Sequence, residues 1–170
     1  MGRRHAIPGE IPRERLAELV SAASYGTVLV LAALSVIGVS EVAHGHGAEL
    51  VAGVGLATWL AHLFAEILGG HVLHDSPRGR AEIARAMVDG SPILAATVLP
   101  AAILLLARVD VLADGTARVL AIVVAILQLA GIGTVVAASA PTPPAMRWTY
   151  AISTAGVGLA IVALTVALGH

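Results

Sequence analysis

Between Glu18 and Glu41 the chain carries no charged residue. The same holds between Asp89 and Arg108, between Arg118 and Arg147, and after Arg147. Each gap holds the ~20 apolar residues that a helix needs to cross a bilayer. A fifth stretch, Leu50 to Val72, is equally long and is interrupted only by His62, Glu66 and His71. The expected fold is therefore all-α: a polytopic transmembrane bundle of about five spans, near 20–40, 49–73, 91–109, 117–138 and 148–169.

Composition says the same about the solvent. The chain is 58% hydrophobic and 12% charged, against about 45–50% and about 25% in soluble domains. With half the usual charge it cannot cover a water-facing surface, so its partner is the lipid bilayer. A net charge of −1 argues against nucleic acid. With no cysteine there is no disulfide, no thiolate nucleophile and no soft metal site. Every basic residue is arginine, which with the abundance of Ala, Gly and Val reflects a GC-rich coding bias.

Local signals place the boundaries. Residues 1–19 form an N-terminal segment, with 12–20 an amphipathic lead-in helix starting at Pro12. The segment is read as retained, because the first apolar run is too long for a signal peptide and no cleavage site follows it. Asp89-Gly90-Ser91-Pro92 reads as a helix start, with Ser91 as N-cap and Pro92 at the first helical position. Residues 78–89 read as a short polar helix at the surface. Pro100 falls inside the third span and implies a kink. Pro141-Thr142-Pro143-Pro144 makes a stiff link, after which Trp148 and Tyr150 sit where an interfacial aromatic belt would hold them. Arginines cluster before span one (Arg3, Arg4, Arg13, Arg15), in the second loop (Arg78, Arg80, Arg85) and before span five (Arg147). By the positive-inside rule the N-terminus is expected in the cytoplasm of a bacterium, the bundle in its inner membrane and the C-terminus outside.

Ionisable residues in such a helix are rare, and their default reading is functional. On the second span Val51, Gly55, Thr58, Trp59, His62, Glu66, Gly69 and Leu73 share one face at 100° per residue. That small, polar face is expected to point into the bundle. His62 and Glu66, spaced i,i+4, can touch, and burial would keep the carboxyl partly protonated beside a neutral imidazole. That is the raw material of a proton relay or cation site. Tyr25 on span one and Gln128 on span four are the candidate partners. If the pair merely bonds another helix, it is interhelical glue worth about 0.6–2 kcal/mol.

Two further groups are weaker candidates. The loop from Glu41 to Glu49 gathers Glu41, His44, His46 and Glu49, a ligand set that suits a divalent metal. His71, His74 and Asp75 follow at the inner end and could extend a relay from Glu66, although interfacial histidines are common there. No His-Glu-x-x-His, Gly-x-Ser-x-Gly or phosphate-binding loop is present, so an intramembrane metalloenzyme ranks third among the function classes. Gly131-Ile132-Gly133 and Gly156-Val157-Gly158 read as close-packing points.

Tyr25-Gly26-Thr27 together with Trp59-Leu60-Ala61-His62-Leu63-Phe64-Ala65-Glu66 resembles a group of small multi-span integral membrane proteins of GC-rich bacteria. The resemblance covers most of the chain. It implies the same architecture and groups Tyr25, His62 and Glu66 as a set, but implies no activity. Vacuolar-type iron transporters share the span count, yet their metal-binding segments have no counterpart here. The leading expectation is a small transporter or channel for protons or a cation, assembled as a dimer because one bundle of this size encloses little. The alternative is a non-transporting scaffold or accessory subunit.

Overall fold

A computed structural model describes residues 12–73, 79–139 and 143–168, with the backbone alone at 70–73. These residues form seven helices and no strand: α1 (Arg13–Val36), α2 (Val39–Ala43), α3 (His46–Leu73), α4 (Arg80–Asp89), α5 (Ser91–Arg108), α6 (Asp114–Ala138) and α7 (Pro144–Leu168). Five helical stretches are long and apolar enough to cross a membrane, α4 and α5 together counting as one of 29 residues. The fold is thus the expected five-span helical bundle. The side on which α1 begins is called the N-terminal side below, and the other the far side.

The helix starts differ from expectation in two places. The lead-in segment is not separate, because α1 runs unbroken from Arg13 to Val36 behind Pro12. Nor does Ser91 cap α5. The N-cap is Gly90, whose own backbone is helical at φ −79°, ψ −10°. Its amide donates to the Ala86 carbonyl and its carbonyl accepts from the Ile93 amide. With α4 immediately ahead, the first amides of α5 already have partners, and a serine cap has nothing left to satisfy. The polar helix α4 is therefore an extension of the third span.

α1, α5 and α6 form the centre of the bundle, while α3 and α7 lie at opposite edges. α3 contacts α1, α2, α4 and α5 but neither α6 nor α7, and α7 contacts only α1 and α6. The core joins Val30, Leu31 and Leu34 of α1 to Ile103 and Leu104 of α5 and to Ala117, Ala121, Ala125 and Leu129 of α6. Because those α6 positions recur every fourth residue, they form one row of mostly small side chains that lets neighbouring backbones come close. Close approach is also visible at Gly26, where a Cβ would lie 2.9 Å from Ile93 Cα on α5. Of the two glycine pairs, Gly133 packs against Tyr150 and Thr154 and Gly158 against Leu31 and Leu129, whereas Gly131 and Gly156 face open space. Pro100 is buried within α5. Trp148 and Tyr150 are exposed at the start of α7, as an interfacial belt requires.

The far side is tied by two arginines. Arg118 of α6 donates from Nε to the Ile37 carbonyl at 2.6 Å and from a terminal nitrogen to the Ser35 carbonyl at 3.3 Å. It thereby satisfies carbonyls that α1 leaves unpaired at its C-terminus, where the helix dipole also favours a cation. Arg108 ion-pairs with Glu49 at 3.4 Å and lies across Gly45. Gly45, at φ +79°, turns the chain from α2 into α3 through a left-handed conformation that side chains disfavour.

Candidate functional site

The polar face of α3 is packed at one end and open at the other. Val51, Gly55 and Thr58 are buried, and Gly55 lies directly against Thr97 of α5. Further along, Trp59, His62 and Glu66 are only partly covered and Gly69 is exposed. The Leu73 side chain lies outside the described residues. The expected inward face is therefore real over its first half, and then α3 parts from its neighbours. On the opposite face Leu56, Leu60 and Phe64 are exposed, as a lipid-facing stripe should be.

His62 Nε2 stands 3.7 Å from Glu66 Oε1, with about a third of each side chain exposed (32% and 35%). Direct proton transfer needs about 2.6–3.2 Å or one bridging water, so the two must close or be bridged. His62 also lines a cleft of about 330 Å³ between α1 and α3, with Ser21, Ala22 and Tyr25 on one wall and Ala61 and Ala65 on the other. Tyr25 thus faces the histidine across the cleft, as its depth suggested. It makes no hydrogen bond among the described residues and is 53% exposed.

The pair stands beside the joint between α4 and α5. A Cβ on Gly90 would lie 3.2 Å from His62 Cδ2 and 3.2 Å from Trp59 Cδ1, and Trp59 Nε1 donates to the Met87 carbonyl at 3.3 Å. Gly90 is the joint between polar α4 and apolar α5. The residue before it, Asp89, pairs with Arg15 of α1 at 3.3 Å. His62 therefore stands at the edge of a charged layer, and Glu66 lies one turn, about 6 Å, further toward the N-terminal side. α3 has 28 residues, about 42 Å of helix, against a hydrocarbon core of about 30 Å. Both residues lie within the stretch His46–Gly69, which is long and apolar enough to cross a membrane, and both side chains are partly exposed.

Gln128 does not join this site. It lines a separate groove among α1, α5 and α6, and its Oε1 is buried without a hydrogen-bond partner. The outer loop does not converge either. The His44 Nδ1–H donates to the Ser40 carbonyl at 2.6 Å, and its ring stacks on that of His46. Glu41 accepts from the Ser40 hydroxyl at 3.0 Å, and Glu49 is taken by Arg108. The carboxyl of Glu41 is held below its ordinary pKa of 4.5, first by its own backbone amide and then by the Ser40 hydroxyl. Among the described residues no group of three or more His, Asp or Glu is placed to hold a metal ion. Glu41, His46 and Glu49 do share a groove along α3 with Gly53 and Ala57. Of the inner-end candidates, His74 and Asp75 and the side chain of His71 lie outside the described residues.

Sequence reasoning missed three participants. Gly90 backs the imidazole, and Ala61 and Ala65 floor the cleft. A signal for the alanines exists: Gly53, Ala57, Ala61, Ala65 and Gly69 recur every fourth residue of α3, all of them exposed. No protein-family model, curated protein or solved structure matches the chain. The class is defined by the fold alone: a five-span helical membrane bundle.

Proposed function

We propose that the protein is a small transporter or channel subunit of the bacterial inner membrane, moving protons or a cation with His62 and Glu66 as the binding site. The observation that carries this is the pair's setting: acid and base adjoin, each about a third exposed, with the imidazole on a cleft between α1 and α3. The arginine distribution supports that side being the cytoplasm. On the far side the groove with Glu41, His46 and Glu49 reaches along the same helix to Ala57, while the inner cleft begins at Ala61. One helical turn, about 6 Å, separates the two, where Thr58 is buried and Gly55 packs on Thr97. A small shift of α3 on α5 would connect them.

The glue reading requires a bond from the pair to another helix. Neither His62 nor Glu66 makes one among the described residues. Packing glue is therefore the weaker account.

A second copy fits the open side of α3. The row from Gly53 to Gly69 lets two such helices approach closely, and a two-fold pair would set each copy's cleft against the other. Cross-linking along this row tests the dimer.

The test of transport is flux of protons, or of a monovalent cation, into liposomes holding the wild type, Glu66→Gln or His62→Ala. Removing the one carboxyl of the pair predicts a drop of roughly tenfold or more for Glu66→Gln and a smaller one for His62→Ala. Equal flux in all three removes the pair from any transport mechanism.

A further inference from the structure

Thr58 lies on α3 between the far-side groove and the inner cleft, and its hydroxyl is unused. A threonine inside a helix commonly gives its hydroxyl to the carbonyl three or four residues earlier. Thr27, Thr97, Thr134, Thr149, Thr154 and Thr165 all do so, at 2.7–3.3 Å. Thr58, well inside α3, makes no hydrogen bond among the described residues, although it is only 7% exposed. Among those residues the sealed side-chain oxygen without a partner is Gln128 Oε1, so Thr58 Oγ1 keeps a little accessible surface. An unpaired hydroxyl on a buried residue is costly and calls for an explanation. Its position on the helix supplies one. Val54, four residues before it, lines the far-side groove. His62, four residues after it, lines the inner cleft. Positions i and i+4 stand about 5–6 Å apart at Cβ, a gap that one water bridges on either side.

We infer that the Thr58 hydroxyl links groove to cleft, and that the species carried is the proton and not a metal cation. The inference rests on the transport reading of His62 and Glu66. In the step, a lone pair of Thr58 Oγ1 accepts a proton from water on the groove side. Its own O–H bond breaks, and that proton passes through water to the His62 imidazole. The hydroxyl ends with one proton, as it began. The imidazolium then gives a proton to the Glu66 carboxylate, 3.7 Å away, on closing or through a water. A metal cation has no such route. Ca²⁺ holds about six to eight oxygen ligands, and potassium filters replace the hydration shell with rings of carbonyls. Between Ala57 and Ala61 the side chains of α3 offer one oxygen, that of Thr58. Beside it Gly55 is packed on Thr97, whose hydroxyl is already given to the Leu94 carbonyl at 2.7 Å.

The experiment uses the full chain in liposomes under an imposed pH gradient. Proton flux is read by an entrapped dye, with Na⁺ and K⁺ flux measured in parallel, for the wild type, Glu66→Gln, Thr58→Val and Thr58→Ser. Valine keeps the shape of threonine without the hydroxyl, and serine keeps the hydroxyl. Thr58→Val should lose roughly tenfold in proton flux, the factor for one hydrogen bond in the path, while Thr58→Ser stays within about twofold of the wild type. Thr58→Ala also lacks the hydroxyl and should match valine. Thermal unfolding close to that of the wild type separates lost flux from lost fold. Unchanged proton flux in Thr58→Val and Thr58→Ala overturns the inference. So does a serine variant that falls as far as valine, which marks a packing role, or a wild type that carries Na⁺ or K⁺ and no protons. If Glu66→Gln lowers the flux and Thr58→Val does not, the inference fails and the transport reading stands. Wild-type flux equal to that of protein-free liposomes ends both.

Discussion

The same substitution, glycine to alanine, should move stability in opposite directions at two positions of this bundle. At Gly26 the added Cβ meets backbone: Ile93 Cα at 2.9 Å and the Ile93 carbonyl oxygen at 3.1 Å. Carbon pairs rest at about 3.5–4.0 Å, so α1 and α5 must separate by something near 0.6 Å or more. No rotamer change can relieve a clash with backbone, and overpacking of this kind typically costs about 1–3 kcal/mol. At Gly156 the added Cβ meets nothing within 4 Å. Both variants gain about 0.5–1 kcal/mol from replacing glycine inside a helix. That gain is common to the two, so their difference isolates the contact and should be about 1–3 kcal/mol. At about 2–4 °C for each kcal/mol in a chain of this size, Gly26→Ala should melt about 2–12 °C below Gly156→Ala. The assay is thermal unfolding of each variant purified in one detergent. Melting points for the two variants that agree within a degree would refute the α1–α5 register. Because Tyr25 precedes Gly26 and lines the cleft, Gly26→Ala should also weaken flux more than Gly156→Ala.

Two further outcomes follow from the far side and the open face. Arg118→Leu removes both bonds to the end of α1 and should destabilise the bundle by about 2–3 kcal/mol, as charged hydrogen bonds do, with Arg118→Lys intermediate; thermal unfolding that ranks lysine with leucine, or finds no loss in either, counts against the capping role. Ala57→Cys and Ala61→Cys, introduced singly into a chain that has no cysteine, should give disulfide-linked dimers in native membranes, while Leu60→Cys and Phe64→Cys should give few; uniform or absent cross-linking along α3 would remove the dimer.

Much of the architecture was legible because one physical rule dominates it. Charge is excluded from hydrocarbon, so four charge-free gaps mark the spans built on α1, α5, α6 and α7, while α3 follows from an apolar stretch that Glu66 interrupts. The boundaries shifted where neighbours supplied what the sequence expects from side chains. Gly90 took the place of Ser91 because α4 already stands ahead of α5. The site was half legible. Periodicity put Thr58, His62 and Glu66 on one face, and depth matched Tyr25 to His62. The same reasoning put Gln128 with them, although it lies on a helix that never touches α3.

The sequence by itself determined the solvent, the number of spans and the i,i+4 contact of His62 with Glu66. These depend on composition and on local helical geometry, which every residue reports directly. Tertiary structure decided which small-residue row is buried. α6 and α3 each repeat small residues every fourth position, yet the α6 row sits in the core and the α3 row is open. Nothing local distinguishes them, because burial belongs to the neighbour and not to the helix. The register of α3 against the α4–α5 joint likewise decided that His62 and Trp59 meet Gly90. A 28-residue helix offers many positions at which that joint could meet it, and only the packing of whole helices selects one.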